Sequence, residues 1–195
     1  MKKLGAVVVL LLAGVAHAEE RLQTVQVAGL SVPGTPAIGK ELGFTQCEDK
    51  YSYYECKRNK PTVIYGAKAD SASVFFNGKD NFSSKTDSRT EPKISTVPPE
   101  KLSYSSIRLD FHLTEREVLE QALLADGWLK SGAGNSRSYY KEGVAATFSF
   151  HRSLAVLEPL GLTEVKTQIN TLKAKAAETA KAEASSSSFI ESMKK

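Results

Sequence analysis

The only two cysteines of this chain, Cys47 and Cys56, bracket the eight residues EDKYSYYE. A bond between them admits few backbone paths, because the segment must double back until the two Cα atoms come within the span of a disulfide. Two antiparallel strands with the cysteines face to face satisfy that condition. The tyrosine and charge between them suit a β-hairpin. One feature opposes the simplest register: it sets Glu48 opposite Glu55, and like charges directly across a strand pair repel. An irregular turn over residues 50–52 would relieve this. A zinc site would need two further ligands, and no histidine lies nearby in sequence. A thioredoxin-like redox pair would show C-x-x-C opening a helix.

The compartment decides the state of the pair. Lys2 and Lys3 form a basic start, Leu4 to Val15 is apolar throughout, and Ala16-His17-Ala18 follows. This is the pattern of a secretory signal peptide over residues 1–18, since the apolar run is too short to span a bilayer and ends in a small-x-small cleavage site. No cysteine follows the run to carry a lipid, and no later segment is apolar for long enough to form a membrane helix. The expectation is an exported chain, periplasmic or secreted after cleavage near Ala18. There a lone cysteine pair ends as a structural disulfide.

Charge then excludes one class. The chain carries 26 Lys and Arg against 22 Asp and Glu, and removing Lys2 and Lys3 with the signal leaves a net charge of +2. Nucleic-acid binding needs a clustered cationic footprint, and none is visible.

The pattern over the remaining residues indicates an α+β fold, an antiparallel sheet packed with short helices and extended by a C-terminal helix. Residues 19–78 read as an N-terminal helix and β-hairpin half that holds the disulfide, 79–103 as a polar flexible loop, 104–160 as a C-terminal β-α-β-β half, and 163–195 as an Ala/Lys-rich helical tail. Leu22 to Val27 suits an edge strand. Thr35 as N-cap with Pro36 at the first helical position starts a short helix toward Leu42, and Gly43 stops it. The apolar runs within 62–78 read as two strands. Residues 106–113, SIRLDFHL, alternate as a half-buried strand, with Ile107, Leu109, Phe111 and Leu113 facing one way. Thr114 and Glu117 are spaced as a capping box for the helix that follows, which carries Val118, Ala122 and Ala125 on one stripe with Leu119 and Leu123 beside it. Strands are expected at Trp128 to Lys130, Ser136 to Lys141 and, last, Val144 to His151. In the tail, Val165, Ile169, Leu172 and Ala176 make a thin stripe that covers under two heptads, and Ser185 to Ser188 break it.

Set side by side, the halves are alike. Each has a helix ending in Gly-aromatic (Gly43-Phe44, Gly127-Trp128), then a Tyr-Tyr strand (Tyr53-Tyr54, Tyr139-Tyr140), then a strand rich in Phe. A tandem repeat of helix plus β-meander is one reading; aromatic pairs are also ordinary strand residues, so chance agreement is the other. The layout over residues 35–78 and 114–151, with Cys47 and Cys56 just after the first helix, is similar to the β-lactamase-inhibitor-protein and BamE-like exported modules. That resemblance implies a short helix followed by an antiparallel sheet and implies nothing about chemistry.

Catalytic motifs are absent: there is no G-x-S-x-G, H-E-x-x-H, phosphate loop or dinucleotide fingerprint. Beyond His17 in the signal, the histidines are His112 and His151. Asp110 and His112 share a strand face by their spacing, and with His151 alongside they would supply two imidazoles and a carboxylate for zinc or iron. Arg108 on the same face opposes a metal. Among the tyrosines of the cysteine hairpin, Tyr51 and Tyr53 fall on one face and Tyr54 on the other. The exposed face would present a candidate binding surface, since tyrosine is enriched at recognition hot spots. The functional expectation is an exported, non-catalytic binding protein of the cell envelope, with a protein partner and no cofactor. The alternative is an exported metalloprotein or hydrolase using Asp110, His112 and His151.

Overall fold

Thr35 and Pro36 start the first helix as their chemistry dictates. In the computed structural model, which describes residues 23–49, 54–77 and 102–192, the Thr35 hydroxyl accepts a hydrogen bond from the Ile38 amide and opens α1 (Pro36–Glu41). Gly43, at φ +90°, turns the chain out of it. Before α1 lies a small hairpin, β1 (Val25–Val27) and β2 (Leu30–Val32). After it come β3 (Phe44–Asp49) and β4 (Tyr54–Arg58), joined by the expected disulfide. Cys47 and Cys56 face each other with Cα atoms 3.9 Å apart. Glu48 does sit opposite Glu55; the turn that was to relieve this lies outside the described residues.

A second small hairpin follows, β5 (Thr62–Ile64) and β6 (Ala67–Ala69), and then β7 (Ser71–Asn77) and β8 (Ser103–Asp110). The second half runs α2 (Leu113–Ala125), β9 (Leu129–Ala133), β10 (Ser136–Tyr140), β11 (Ala146–His151), β12 (Leu154–Pro159) and α3 (Leu162–Ser192). Eight of the strands form one antiparallel sheet in the order β3-β4-β7-β8-β12-β11-β10-β9. The fold is α+β, as expected. Each half is a helix followed by a four-strand meander, with β5 and β6 inserted into the first. The two meanders meet at β8 and β12, so the strand order reads outward from that seam in the same sense on both sides.

The core lies on one face of this sheet. Val74, Ile107, Leu157, Phe148 and Tyr139 are linked in register across β7, β8, β12, β11 and β10, and all are buried. The hairpin β1–β2, α1, α2 and the hairpin β5–β6 cover them, supplying Val32, Gly39, Leu119, Leu123 and Ile64. The fit is closest at Gly34, which is bridged to Tyr104 by paired backbone hydrogen bonds of 2.9 and 2.8 Å. A Cβ there would lie 2.2 Å from the tyrosine ring.

Several expectations are corrected. The run 106–113 is not all strand: β8 ends at Asp110 and α2 begins at Leu113. The N-cap is therefore His112, not Thr114, and its side chain makes no cap bond. Thr114 lies within the first turn, so Thr114 and Glu117 form no capping box. Instead, Glu115 accepts the Lys68 amide at 2.7 Å, tying the β5–β6 hairpin to the helix. The buried stripe of α2 is Leu119, Glu120 and Leu123, while Val118 stays 46% exposed. The stripe turns because Glu120 is a core residue: Tyr139 Oη donates to it at 2.7 Å, Arg137 Nη2 at 2.6 Å, and Arg116 lies 3.2 Å away. β11 is not the last strand, since β12 follows a turn at Arg152, which has φ +55°. The run TVIYGAKA holds a whole hairpin rather than one strand. Finally, α3 passes straight through the serines; Ser185 satisfies its hydroxyl on the Lys181 carbonyl at 2.9 Å.

Candidate recognition surface

Period-two alternation gives the sheet a second face, opposite the core. Lys57, Ser73, Arg108, Val156, Ser149, Ser138 and Ser131 form one row across it, paired strand to strand from β4 to β9. The two ends of this face differ. Over β9, β10 and β11 it is covered by the start of α3, whose Val165 and Ile169 are 1% and 2% exposed and lie outside the main core cluster. Thr147, on that face of β11, is accordingly buried. Over β12, β8, β7 and β4 no element covers it among the described residues, and Arg108, Asp110, Lys57 and Glu158 are exposed.

At the centre of the uncovered part, the Arg108 guanidinium stacks over the Phe75 ring, 4.3 Å from its centroid. The ring keeps the long side chain in one place while its charge stays at the surface. Val156 and Leu154 are half-buried beside it on β12, and Phe75 is half-buried on β7. Polar residues surround this patch. Ser71 Oγ donates to Asp110 Oδ2 at 2.9 Å, and Lys57 and Glu158 stand farther out. An arginine and an aromatic ring flanked by aliphatic groups within a polar margin is the composition of a protein-recognition centre.

The residues singled out in the sequence are placed as follows. Tyr51 and Tyr53 lie outside the described residues. Tyr54 pairs with Phe76 on the core face, half-buried against the core, so it is not part of this surface. Asp110 and His151 are on the second face, separated by Leu154 of the intervening strand. His112 has left the strand and stands exposed before α2. The three are not brought together, and among the described residues no cluster of three His, Cys, Asp or Glu side chains is arranged to hold a metal ion. Sequence reasoning treated Arg108 only as an obstacle to a metal. It missed Val156 and Leu154 because it did not find β12, for which the run LAVL was the available signal.

Two groups elsewhere are shifted by their neighbours. Asp126 is held below the usual carboxylate range, first by its hydrogen bond with Lys141, whose Nζ is 2.8 Å away. The Tyr139 hydroxyl is pushed up by burial and by the Glu120 carboxylate it contacts.

The disulfide is compatible with a periplasmic or extracellular protein, and no described helix is long and apolar enough to cross a membrane. Compared with known proteins, the chain matches no family model, no curated protein and no solved structure.

Proposed function

We propose that this is an exported, non-catalytic binding protein of the cell envelope, and that its partner is a protein docking on the uncovered part of the second sheet face. The observation that carries the reading is the Arg108–Phe75 stack at the centre of a face whose other end the chain closes with its own helix. A sheet face with an exposed arginine stacked on a half-buried aromatic ring, and charge at its margin, is suited to a specific protein contact. The apolar run at residues 4–15 and the oxidised cysteine pair support an exported location.

Site-specific photocrosslinking in the envelope of a bacterial host tests this. A photoreactive residue at Lys57 or Glu158, both on the face, is expected to capture one protein in stoichiometric yield. The same residue at Glu117, on the exposed side of α2, is expected to capture none. Equal capture from all three positions, or none from any, would contradict the reading.

A further inference from the structure

Beyond Lys57 and Ser73 two neighbouring strands of the sheet part. The β4–β7 ladder runs from Tyr54↔Phe76 to Lys57↔Ser73 and stops there, because the chain leaves at Arg58 to build the β5–β6 hairpin and returns at Asp70. A cleft of about 250 Å³ opens between the departing and returning segments. That exceeds the roughly 150 Å³ cavity known to accept a benzene ring. Its lining is polar: Gln46, Arg58, Asn59 and Lys60 on one side, Asp70 and Ser71 on the other.

One of the charges there is held in place. Arg58 is held by two hydrogen bonds, Nε to the Leu42 carbonyl at 2.7 Å and Nη1 to the Thr62 hydroxyl at 3.1 Å. Those bonds fix the guanidinium plane and leave its Nη2 donors for something else. Lys60 and Asp70 are both exposed, and neither has an ion-pair partner among the described residues. The cleft therefore offers two cations on its entry side and one carboxylate on its exit side.

We infer that this cleft binds an acidic α-amino acid. Such a ligand carries two carboxylates and one ammonium, the complement of Arg58, Lys60 and Asp70. One carboxylate accepts from the Nη2 donors of Arg58, which its other two bonds hold in place. The other carboxylate meets Lys60, and the ammonium meets Asp70. Because Arg58 is already immobilised, little ordering is required of the protein on binding. The inference is independent of the protein-docking face described above, since it uses none of Phe75, Arg108 or Val156.

The test is a titration of the isotope-labelled mature chain, followed by its amide NMR signals, with L-glutamate, with glutarate (the same carboxylates without the ammonium), and with L-lysine. L-glutamate is expected to shift the signals of Asn59, Lys60, Asp70 and Ser71 saturably, and glutarate and L-lysine to bind at least about tenfold more weakly. Both test variants change exposed side chains, so the fold is retained. Asp70→Asn is expected to abolish the preference for glutamate over glutarate, and Lys60→Ala to weaken both. No saturable shift with glutamate at about 10 mM would overturn the inference. So would equal binding of lysine, or a glutamate preference unchanged in Asp70→Asn.

Discussion

The Trp128 indole N–H donates to the Tyr65 hydroxyl at 3.3 Å, joining residues 63 apart in sequence and from different halves of the chain. Tyr65 stands at the tip of the β5–β6 hairpin with φ +49°, and its ring meets Phe148 edge-on at a centroid distance of 6.5 Å. The hairpin is an insertion in the first meander, yet it packs against α2 and the aromatic core of the second. It fastens the two halves on the core side of the sheet, as the β8–β12 ladder does within it.

Loss of this contact is expected to loosen the whole molecule. Tyr65→Ala removes a half-buried ring and is expected to destabilise by about 2–3 kcal/mol. Tyr65→Phe keeps the ring, and Trp128 retains the Asp126 carboxylate at 3.2 Å as an acceptor, so its effect is expected to stay below about 1 kcal/mol. Urea unfolding of the two variants separates ring packing from the hydrogen bond.

Gly34 and Tyr104 make a second test of packing. The Cβ of Gly34→Ala would fall 2.2 Å from the ring, far inside contact distance, and a destabilisation of about 2–4 kcal/mol is expected. Shortening the obstacle in Gly34→Ala/Tyr104→Leu is expected to cost less than the sum of the two single changes. Additive losses in a double-mutant cycle would show that the clash is not the cause.

Tyr104 also sets an alkaline limit. Burial pushes its hydroxyl up to about 12, and that hydroxyl donates to the Ser31 carbonyl at 2.9 Å. The native state holds this proton where the unfolded chain, with a tyrosine pKa of about 10, releases it. The contribution of Tyr104 to stability is therefore expected to be level below about pH 10 and to fall as pH rises from 10 to 12, because the unfolded state binds fewer protons there. Tyr104→Phe is expected to lose about 1 kcal/mol at neutral pH, through the lost hydrogen bond, and to show a shallower alkaline decline. Denaturation midpoints across that range give both slopes.

Much of the first half was legible because its signals are local. Thr35-Pro36 and Gly43 mark α1 through their own backbone preferences, and the cysteine spacing specifies a register by covalent geometry. Where the sequence misled, distant residues decide. The α2 face cannot be read from apolar spacing, because Glu120 is buried and its partners Arg137 and Tyr139 come from β10. The run 154–157 lacks alternation because Leu154 and Val156, on the second face, are themselves aliphatic and half-buried. The Arg108 site was illegible for the same reason, since Phe75 and Val156 reach it only through the β7–β8 and β8–β12 registers. The strand at 62–69 hid a hairpin because only Gly66 of its two turn residues favours φ > 0, while Tyr65, which sterically disfavours it, made the run read as continuous strand.

The helix α3 is expected to divide at Leu172. Lys173 through Ser185 are exposed, tethered near the sheet by a 3.3 Å contact between Lys173 and Glu142. Truncation after Lys173 is expected to change stability by less than about 0.5 kcal/mol. Ile169→Ala, which opens a cavity against the second face, is expected to cost about 2–3 kcal/mol. Thermal unfolding of the two proteins distinguishes the docked start of the helix from its solvated end.

The most direct test of the recognition surface is the yield of the photocrosslink from Lys57 with and without Arg108→Glu. The substitution removes the stack on Phe75 at an exposed position, so folding stability is expected to change by less than about 1 kcal/mol. The crosslink is expected to fall at least about tenfold, as for a central contact in an interface. An undiminished yield in a folded Arg108→Glu protein would contradict the assignment of this face.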